Sequence, residues 1–427
     1  MKRYPAAEMN LESSSEPVPP ALPAGTPLRE LAALFLRLGT TAFGGPAAHI
    51  AMMQDEVVTR RKWLTPTEFL DMLAATNFIP GPNSTEMSIH IGYRRAGWRG
   101  LVVAGSCFIL PAALMCAALA ALYTRYGHSP ISQSLLYGVK PVVIAVVGQA
   151  LYRLGRAAIK TPLLAALTML AAAALLLRVG ELLTLFGTGA LAALLFAAQK
   201  NRRVGGMAGG NSVPLLAVAP RALGALKAPA AAAAVGGWWG GMTVAAPLGP
   251  LFLVFLKIGS VLFGSGYVLL AFLQTDVVDR HHWLTQEQLL DAIAVGQVTP
   301  GPVFTTATFI GYVAAGPWGA VLATLGIFVP AFFFVAASAP LLVRMRQSKV
   351  LGAFLDGLNV ASLALMAVVM VRLAVGGGPM DRPALVDGVT IALAAASLAL
   401  LILKKVNSMW LVLAGAVAGG VHGWLAG

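Results

Sequence analysis

The chain has 427 residues, 58% of them hydrophobic and 11% charged, where a soluble protein of this length carries about a quarter charged residues. That composition excludes a soluble globular fold, and apolar runs that are continuous rather than alternating exclude a transmembrane β-barrel. The formal charge of +13 does not point to nucleic acid: Lys and Arg cluster in short loops between apolar runs, as the positive-inside rule expects, and no basic stripe alternates with aromatics.

In chain order, residues 1–28 are polar and Pro-rich ("SSSEPVPPALPAGTP") without the apolar core of a cleavable signal peptide, so a disordered tail is expected. A broken span follows at about 31–53, containing "LFLRLGTTAFGG". Next comes "TNFIPGPNSTEMSIH", which puts Pro80, Gly81 and Pro82 where a spanning helix needs unbroken hydrogen bonding. Ordinary spans are expected near 99–124, 133–153, 161–177 and 182–198, completing a first unit over 29–198. Cys107 and Cys116 share one apolar segment and form neither a disulfide framework nor a metal pair. A basic, Gly/Ala/Pro-rich linker occupies 199–244. The second unit, 245–427, has a broken span near 251–273, "GQVTPGPVFTTATFI" with Pro300, Gly301 and Pro302, and spans near 317–342, 351–373, 384–403 and 408–425.

The two units are one duplicated sequence. Residues 35–82 align with 255–302 without a gap, and nineteen positions are identical. They include Gly39/Gly259, Gly44/Gly264, Gln54/Gln274, Trp63/Trp283, Asp71/Asp291 and both Pro-Gly-Pro triplets; after a one-residue slip Gly92/Gly311 and Pro111/Pro330 also match. Shared hydrophobicity alone would not hold those residues in register. Loop charge then gives orientation. The loops holding Arg94, Arg95 and Arg99, and Arg153, Arg156 and Lys160, are basic in the first half. In the second, the counterpart of the Arg94 loop ("VAAGPW") is uncharged, whereas Arg344, Arg346, Lys349, Lys404 and Lys405 mark the other loops. Matching loops therefore face opposite sides, so the expected fold is an all-α polytopic membrane protein of two homologous inverted-topology repeats. Inversion calls for an odd number of passes: five spans per half plus a re-entrant helical hairpin broken at Pro-Gly-Pro. The limbs of the first hairpin are about 20 and 16 Å long, roughly half a bilayer each.

Proline suits the first position of a helix, so Pro82 and Pro302 are expected to open the exiting limbs. The free N–H groups would be those of Ser84, Thr85 and Glu86, and of Phe304, Thr305 and Thr306, at the membrane centre. A helix N-terminus attracts anions, and the hydroxyls of Ser84, Thr85, Thr305, Thr306 and Thr308 add donors. Arg37 and Lys257 hold equivalent intramembrane positions with no acidic partner within a helical turn, which favours anion handling, with snorkelling as the bland alternative. Asp71 and Asp291 either brace the hairpins or couple protons. Glu86, opposite Thr306, either carries a proton or complements the helix dipole. A packed kink without ligand is the plain alternative for the Pro-Gly-Pro break. No Cys/His/carboxylate set has metal-ligand spacing, and no cofactor motif is present.

The stretch from "FGGPAAHIAMMQDEVV" through "WLTPTEFLDMLAATNFIPGPNSTEMSIHIGYRRAGWRG" closely resembles the signature of the chromate ion transporter (CHR) family in its long, two-domain form, and "FGSGYVLLAFLQTDVV" with "TPGPVFTTATFIGY" resembles its second-domain version. The resemblance implies a multi-pass protein of the bacterial inner membrane that exports chromate, a sulfate-like dianion, and confers resistance. It carries the family pattern onto Gly44, Gly45, Pro46, Pro80, Gly81, Pro82, Asn83, Ser84, Thr85 and Glu86, and onto Gly264, Pro300, Gly301 and Pro302; of these all but Pro46 and Glu86 are expected to bind substrate. The second half has Gly266 in place of Pro46 and lacks Asn-Ser, so the half-sites are not chemically equal. Uniport down the membrane potential and proton antiport both fit. A general sulfate-like oxyanion carrier stays open beside chromate, as does a channel-like pore; an intramembrane enzyme would need a catalytic cluster that the sequence lacks. Partners are the oxyanion and the bilayer, and a homodimer is admissible though oligomeric state is not readable.

Overall fold

A computed structural model describes residues 26–127, 129–205, 246–263, 266–338, 348–376, 384–404 and 406–426. Those residues are helical throughout, apart from the turns that join the helices. In the first half, α1 is Leu28–Thr41, α2 Pro46–Gln54 continued by a π-helical turn Asp55–Arg60, α3 Pro66–Thr76, α4 Asn83–Tyr126, α5 Pro130–Ala158, α6 Pro162–Leu176 and α7 Glu181–Gly205. In the second, α8 is Leu248–Val261, α9 Leu269–Leu273 continued by a π-helical turn Gln274–Arg280, α10 Gln286–Val298, α11 Thr306–Ser338, α12 Lys349–Val375, α13 Gly388–Ala399 and α14 Ser408–Ala426. Among the described residues six helices are long and apolar enough to cross a bilayer, in α4, α5, α7, α11, α12 and α14, and the helices Pro162–Leu176, Leu248–Val261 and Gly388–Lys404 are shorter apolar ones.

Local chemistry starts these helices where the sequence says it should. Thr65 and Glu68 form a capping box at α3, Thr65 N–H donating to Glu68 Oε2 at 2.9 Å and Glu68 N–H to Thr65 Oγ1 at 3.2 Å. Thr285 and Gln288 do the same at α10. Proline occupies the first turn of α2, α3, α5 and α6, where its missing N–H costs nothing.

The segment expected to cross once at 31–53 does not run on in one direction. Arg61 at the end of the π-turn meets Glu30 at the start of α1, 3.4 Å apart, and Arg37 is paired with Glu56. Two helices continuing head to tail would hold Glu30 and Arg61 on the order of 40 Å apart at about 1.5 Å per residue. The chain instead folds back at Gly44-Gly45. The segment expected at 251–273 folds back likewise, Lys257 Nζ reaching Asp276 Oδ1 at 2.7 Å. Among the described residues each half then keeps three helices long and apolar enough to cross, with α6 and Gly388–Lys404 as shorter apolar ones, where five spans per half were expected.

The long helix α4 is itself two limbs. Ala96 and Gly97 leave helical geometry, Gly97 with φ +57°, and the chain reverses there. A Cβ on Gly92 would lie 2.3 Å from the Gly100 carbonyl oxygen, which only glycine permits at such backbone approach. Limb 83–95 thus lies against the start of limb 98–126, while Arg94 Nη2 donates to Glu68 Oε1 at 3.0 Å and ties the same limb to α3. The end of limb 98–126 belongs to the other half: Cys116 Sγ lies 3.4 Å from Thr305 Oγ1, and the Tyr123 hydroxyl donates to Asp291 Oδ2 at 2.8 Å. In α11 the reversal recurs at Ala315 and Gly316, and Thr308 and Thr324 hydroxyls meet at 2.7 Å across it.

The halves also exchange one backbone bond each. Gly81 N–H donates to Leu262 O at 2.9 Å, and Gly301 N–H to Ala42 O at 3.0 Å; these are equivalent positions of the two units. Around this junction the core is apolar, built on Phe108, Phe255, Phe272, Phe304 and Phe309, all buried. Two boundaries differ from expectation. Thr26, assigned to the tail, is buried and accepts from Arg95 Nε at 2.7 Å, and α7 continues to Gly205, into the expected linker. Residues 1–25 and 206–245, and Gly264, lie outside the described residues.

Candidate functional site

The first Pro-Gly-Pro turn links the end of α3 to the start of α4. Pro82 is the residue before the helix rather than its first, with φ −82° and ψ 102°, and its carbonyl accepts from Thr85 N–H at 2.8 Å and Glu86 N–H at 3.1 Å. Of the donors that a helix start leaves open, those of Asn83 and Ser84 therefore remain, not those of Thr85 and Glu86 as expected. Their positive end is the place for an anion.

The side chains of this first stretch are sealed inside the protein. Thr85 and Glu86 are 0% exposed and His90 4%. Thr85 Oγ1, both carboxyl oxygens of Glu86 and His90 Nε2 have no hydrogen-bond partner among the described residues. Three neighbouring buried polar groups without partners are costly and need a reason. Ser84 differs: its hydroxyl meets His49 Nδ1 at 3.3 Å, while His49 Nε2 donates to Ala42 O at 3.1 Å, so the carbonyl sets the tautomer in which Nδ1 accepts. Gly81, with φ +140°, is where Glu86 finds room: a Cβ there would sit 2.3 Å from Glu86 Oε1. Outside the helix start lies a cavity of about 380 Å³ lined by Asn77, Asn83, Asn359, Lys160 and Asp356 among others. Asn83 Nδ2 donates to Asn77 Oδ1 at 3.1 Å, and Lys160 Nζ to Asp356 Oδ1 at 2.8 Å.

The second Pro-Gly-Pro turn is built alike but satisfied. Pro302 O accepts both Thr305 N–H at 3.0 Å and the Thr305 hydroxyl at 2.7 Å, and Thr306 Oγ1 donates to Val303 O at 2.8 Å. Gly301, φ +86°, abuts Ala112 and the Gly39 carbonyl, so no side chain folds over it as Glu86 folds over Gly81. Pro80 and Pro300 open the two turns, and Gly44-Gly45 form the tip of the first fold-back.

Arg37 and Lys257 are not the unpaired cations that sequence suggested. Arg37 and Arg60 share Glu56, and Lys257 and Arg280 share Asp276. The acids lie on the returning limb, nineteen residues away, which a search within one helical turn misses. Their signal was present: Glu56/Asp276 and Arg60/Arg280 match at the same offset as the cations. Asp291 accepts from Tyr123 at the floor of a separate cavity of about 660 Å³ that also holds Lys140 and Glu287. Asp71 is only partly buried, on α3. Of the scattered histidines, His49 is brought to the helix start by Ser84, and His90 lies two turns further along the same limb.

The sequence profile of the family described as "Chromate transporter" matches residues 29–195 and 249–420. A chromate transport protein of Pseudomonas aeruginosa is 34% identical over 420 residues, covering 97% of this chain and 95% of that one. One of Cupriavidus metallidurans is 32% identical over 397 residues, 92% of each chain. A probable chromate transport protein of Synechococcus elongatus is 32% identical over 352 residues, 81% of this chain and 84% of its own. No solved structure matches the chain.

Proposed function

The chain belongs to the chromate transporter family, and from that premise we propose that it exports chromate across the bacterial inner membrane by alternating access, conferring chromate resistance. The observation that carries the reading is the sealed, unpartnered group of Thr85, Glu86 and His90 behind the helix start at Asn83. A tetrahedral oxyanion would take the amides of Asn83 and Ser84 and the Thr85 hydroxyl, with His49 holding the Ser84 hydroxyl in place. The Asn-lined cavity reaches Asn83 from one face, with Lys160 and Asp356 paired to each other at its wall.

The proposed frame is a pair of inverted repeats with re-entrant Pro-Gly-Pro hairpins meeting near the bilayer midplane. In support, the first hairpin lies beside the start of limb 98–126 and the second beside its end, and the bonds Gly81 to Leu262 and Gly301 to Ala42 are reciprocal. In that frame Pro80, Gly81 and Pro82 shape the working half-site, Pro300, Gly301, Pro302, Thr305 and Thr306 the scaffold that supports it. Arg37 and Lys257 tie the fold-backs at Gly44-Gly45 and their counterpart. With basic loops inside, the interior-negative potential favours exit, about 2.3 kcal/mol per charge per 100 mV, so a dianion gains roughly twice that.

A general sulfate-like oxyanion carrier is the second reading, because amides and a hydroxyl recognise charge and shape rather than the central atom. Labelled chromate uptake into energised inside-out vesicles, with and without excess sulfate, separates the two. Saturable uptake that resists sulfate is expected. Uptake abolished by equimolar sulfate would establish the general carrier, and no uptake would refute transport. Reporter fusions at the Arg94 and Ala314 loops should mark opposite faces; the same face for both would overturn the inversion.

A further inference from the structure

An anion site has no evident use for a carboxylate at its centre, yet Glu86 lies one turn into the helix whose start is the anion's place. Its carboxyl folds over Gly81, is 0% exposed, and neither oxygen is hydrogen-bonded. Among the described residues no cation is paired with it. From α2 the neighbour of the helix start is His49, held between Ser84 and Ala42 O. Ala331 of α11 packs over Gly81, and Leu262, just past the end of α8, offers a carbonyl already taken by Gly81 N–H. On its own limb His90 stands one turn further on. The basic groups of the surrounding elements are engaged elsewhere: Arg37 by Glu56, Arg94 by Glu68 and Lys160 by Asp356.

We propose that the site accepts its dianion only when Glu86 is in the acid form, so that a proton and the oxyanion occupy it together. This rests on the reading of the helix start as the chromate site. An ionised Glu86 and a dianion a few ångströms apart, buried and with no cation paired to Glu86 among the described residues, repel strongly. A protonated carboxyl reverses the sign of the contact: one oxygen takes a proton from a hydronium ion, which is released as water, and the resulting O–H donates to an oxyanion oxygen. No other bond is made or broken. The loaded site then carries the two charges of the anion instead of three. Thr306, the counterpart of Glu86, already donates to Val303 O, so the second half offers no such group.

The test is infrared difference spectroscopy of the purified full-length protein, washed with and without chromate at a mildly alkaline pH where chromate is a dianion. The chromate-saturated wild type is expected to show a protonated-carboxyl stretch that is absent in E86Q. E86D, which shifts the band rather than removing it, makes the assignment if E86Q does not accumulate. Chromate affinity of the wild type should weaken by up to roughly tenfold per pH unit on the alkaline side of the transition, while that of E86Q stays flat. A chromate-saturated wild type without a protonated-carboxyl band at Glu86 would overturn this proposal and leave the transport reading standing. Absence of saturable chromate binding to folded wild type would overturn both.

Discussion

Gly81→Ala is the substitution that most directly probes the arrangement of the site. The added Cβ would lie 2.3 Å from Glu86 Oε1 and 3.3 Å from its carboxyl carbon, and 3.6 Å from Ala331 Cβ. With φ at +140° the backbone strain of any Cβ adds about 1–3 kcal/mol. The Glu86 side chain is the flexible partner, so it is the one displaced. The protein should fold and insert, with Tm lowered by a few degrees, while chromate transport falls at least roughly tenfold, the equivalent of about 1.4 kcal/mol. Combining it with Glu86→Ala removes the clash but not the strain. A double-mutant cycle should therefore show a coupling in stability of about 0.5–3 kcal/mol between the two positions. Gly301→Ala is the control, since its Cβ would meet Ala112 Cβ at 2.8 Å and the Gly39 carbonyl at 3.0 Å. That neighbourhood is largely backbone, and the loss should be in stability and accumulation. Vesicle uptake normalised to protein, with melting followed by tryptophan fluorescence, separates the outcomes. Wild-type transport by Gly81→Ala, with additive stability effects in the cycle, would refute the placement of Glu86.

The remaining expectations concern the other half-site, the cations and the hairpin brace. Thr85→Val should cut transport about tenfold and Thr305→Val less than about twofold, because the Thr305 hydroxyl is already spent on Pro302 O; equal losses in vesicle uptake would contradict the unequal half-sites. Neutralising Arg37 and Lys257 together leaves the largely buried Glu56 and Asp276 with fewer partners, chiefly Arg60 and Arg280, and should lower Tm while leaving chromate affinity within about threefold; lost affinity at unchanged Tm would return them to a direct role. At α3, partial burial pushes the Glu68 carboxyl up, but bonds from Thr65 and Arg94 outweigh it and hold it below the ordinary glutamate range. A depressed value means its stabilisation is present above that range and is lost as pH falls through it. Melts from neutral to acid pH should show that loss in the wild type and a flatter profile in Glu68→Gln.

The helical membrane fold was legible because hydropathy and caps agree: spans expected at 133–153 and 182–198 fall in α5 and α7, both long and apolar enough to cross, while 161–177 is the shorter apolar helix α6. The Pro-Gly-Pro turns were legible because nothing in a helix tolerates them. The fold-back at Gly44-Gly45 was not, since the hydropathy of 31–53 is the same whether the chain crosses or returns. The pairings of Arg37 with Glu56 and of Arg61 with Glu30 tell the two apart, and those pairings are distances in space. The half-sites looked alike in their hydroxyls. Their difference lies in which carbonyl each hydroxyl reaches, and spacing alone does not encode that. His49 looked isolated for the same reason, because its contact with Ser84 joins two separate segments of the chain.

The reciprocal bonds at the two Pro-Gly-Pro tips carry a consequence for how such a chain changes over generations. Each tip finds its acceptor on the opposite half, Gly81 on Leu262 and Gly301 on Ala42, and an interior amide left without one costs about 1–3 kcal/mol. Neither half is a closed account of its own hydrogen bonds. A drift in the backbone at Ala42 is felt first at Gly301, inside the other duplicate, and also at His49, which leans on the same carbonyl. Duplicates ordinarily gain freedom to diverge. Here divergence is channelled into side chains such as Glu86 and Thr306, while the crossed backbone contacts bind the two copies to a common history.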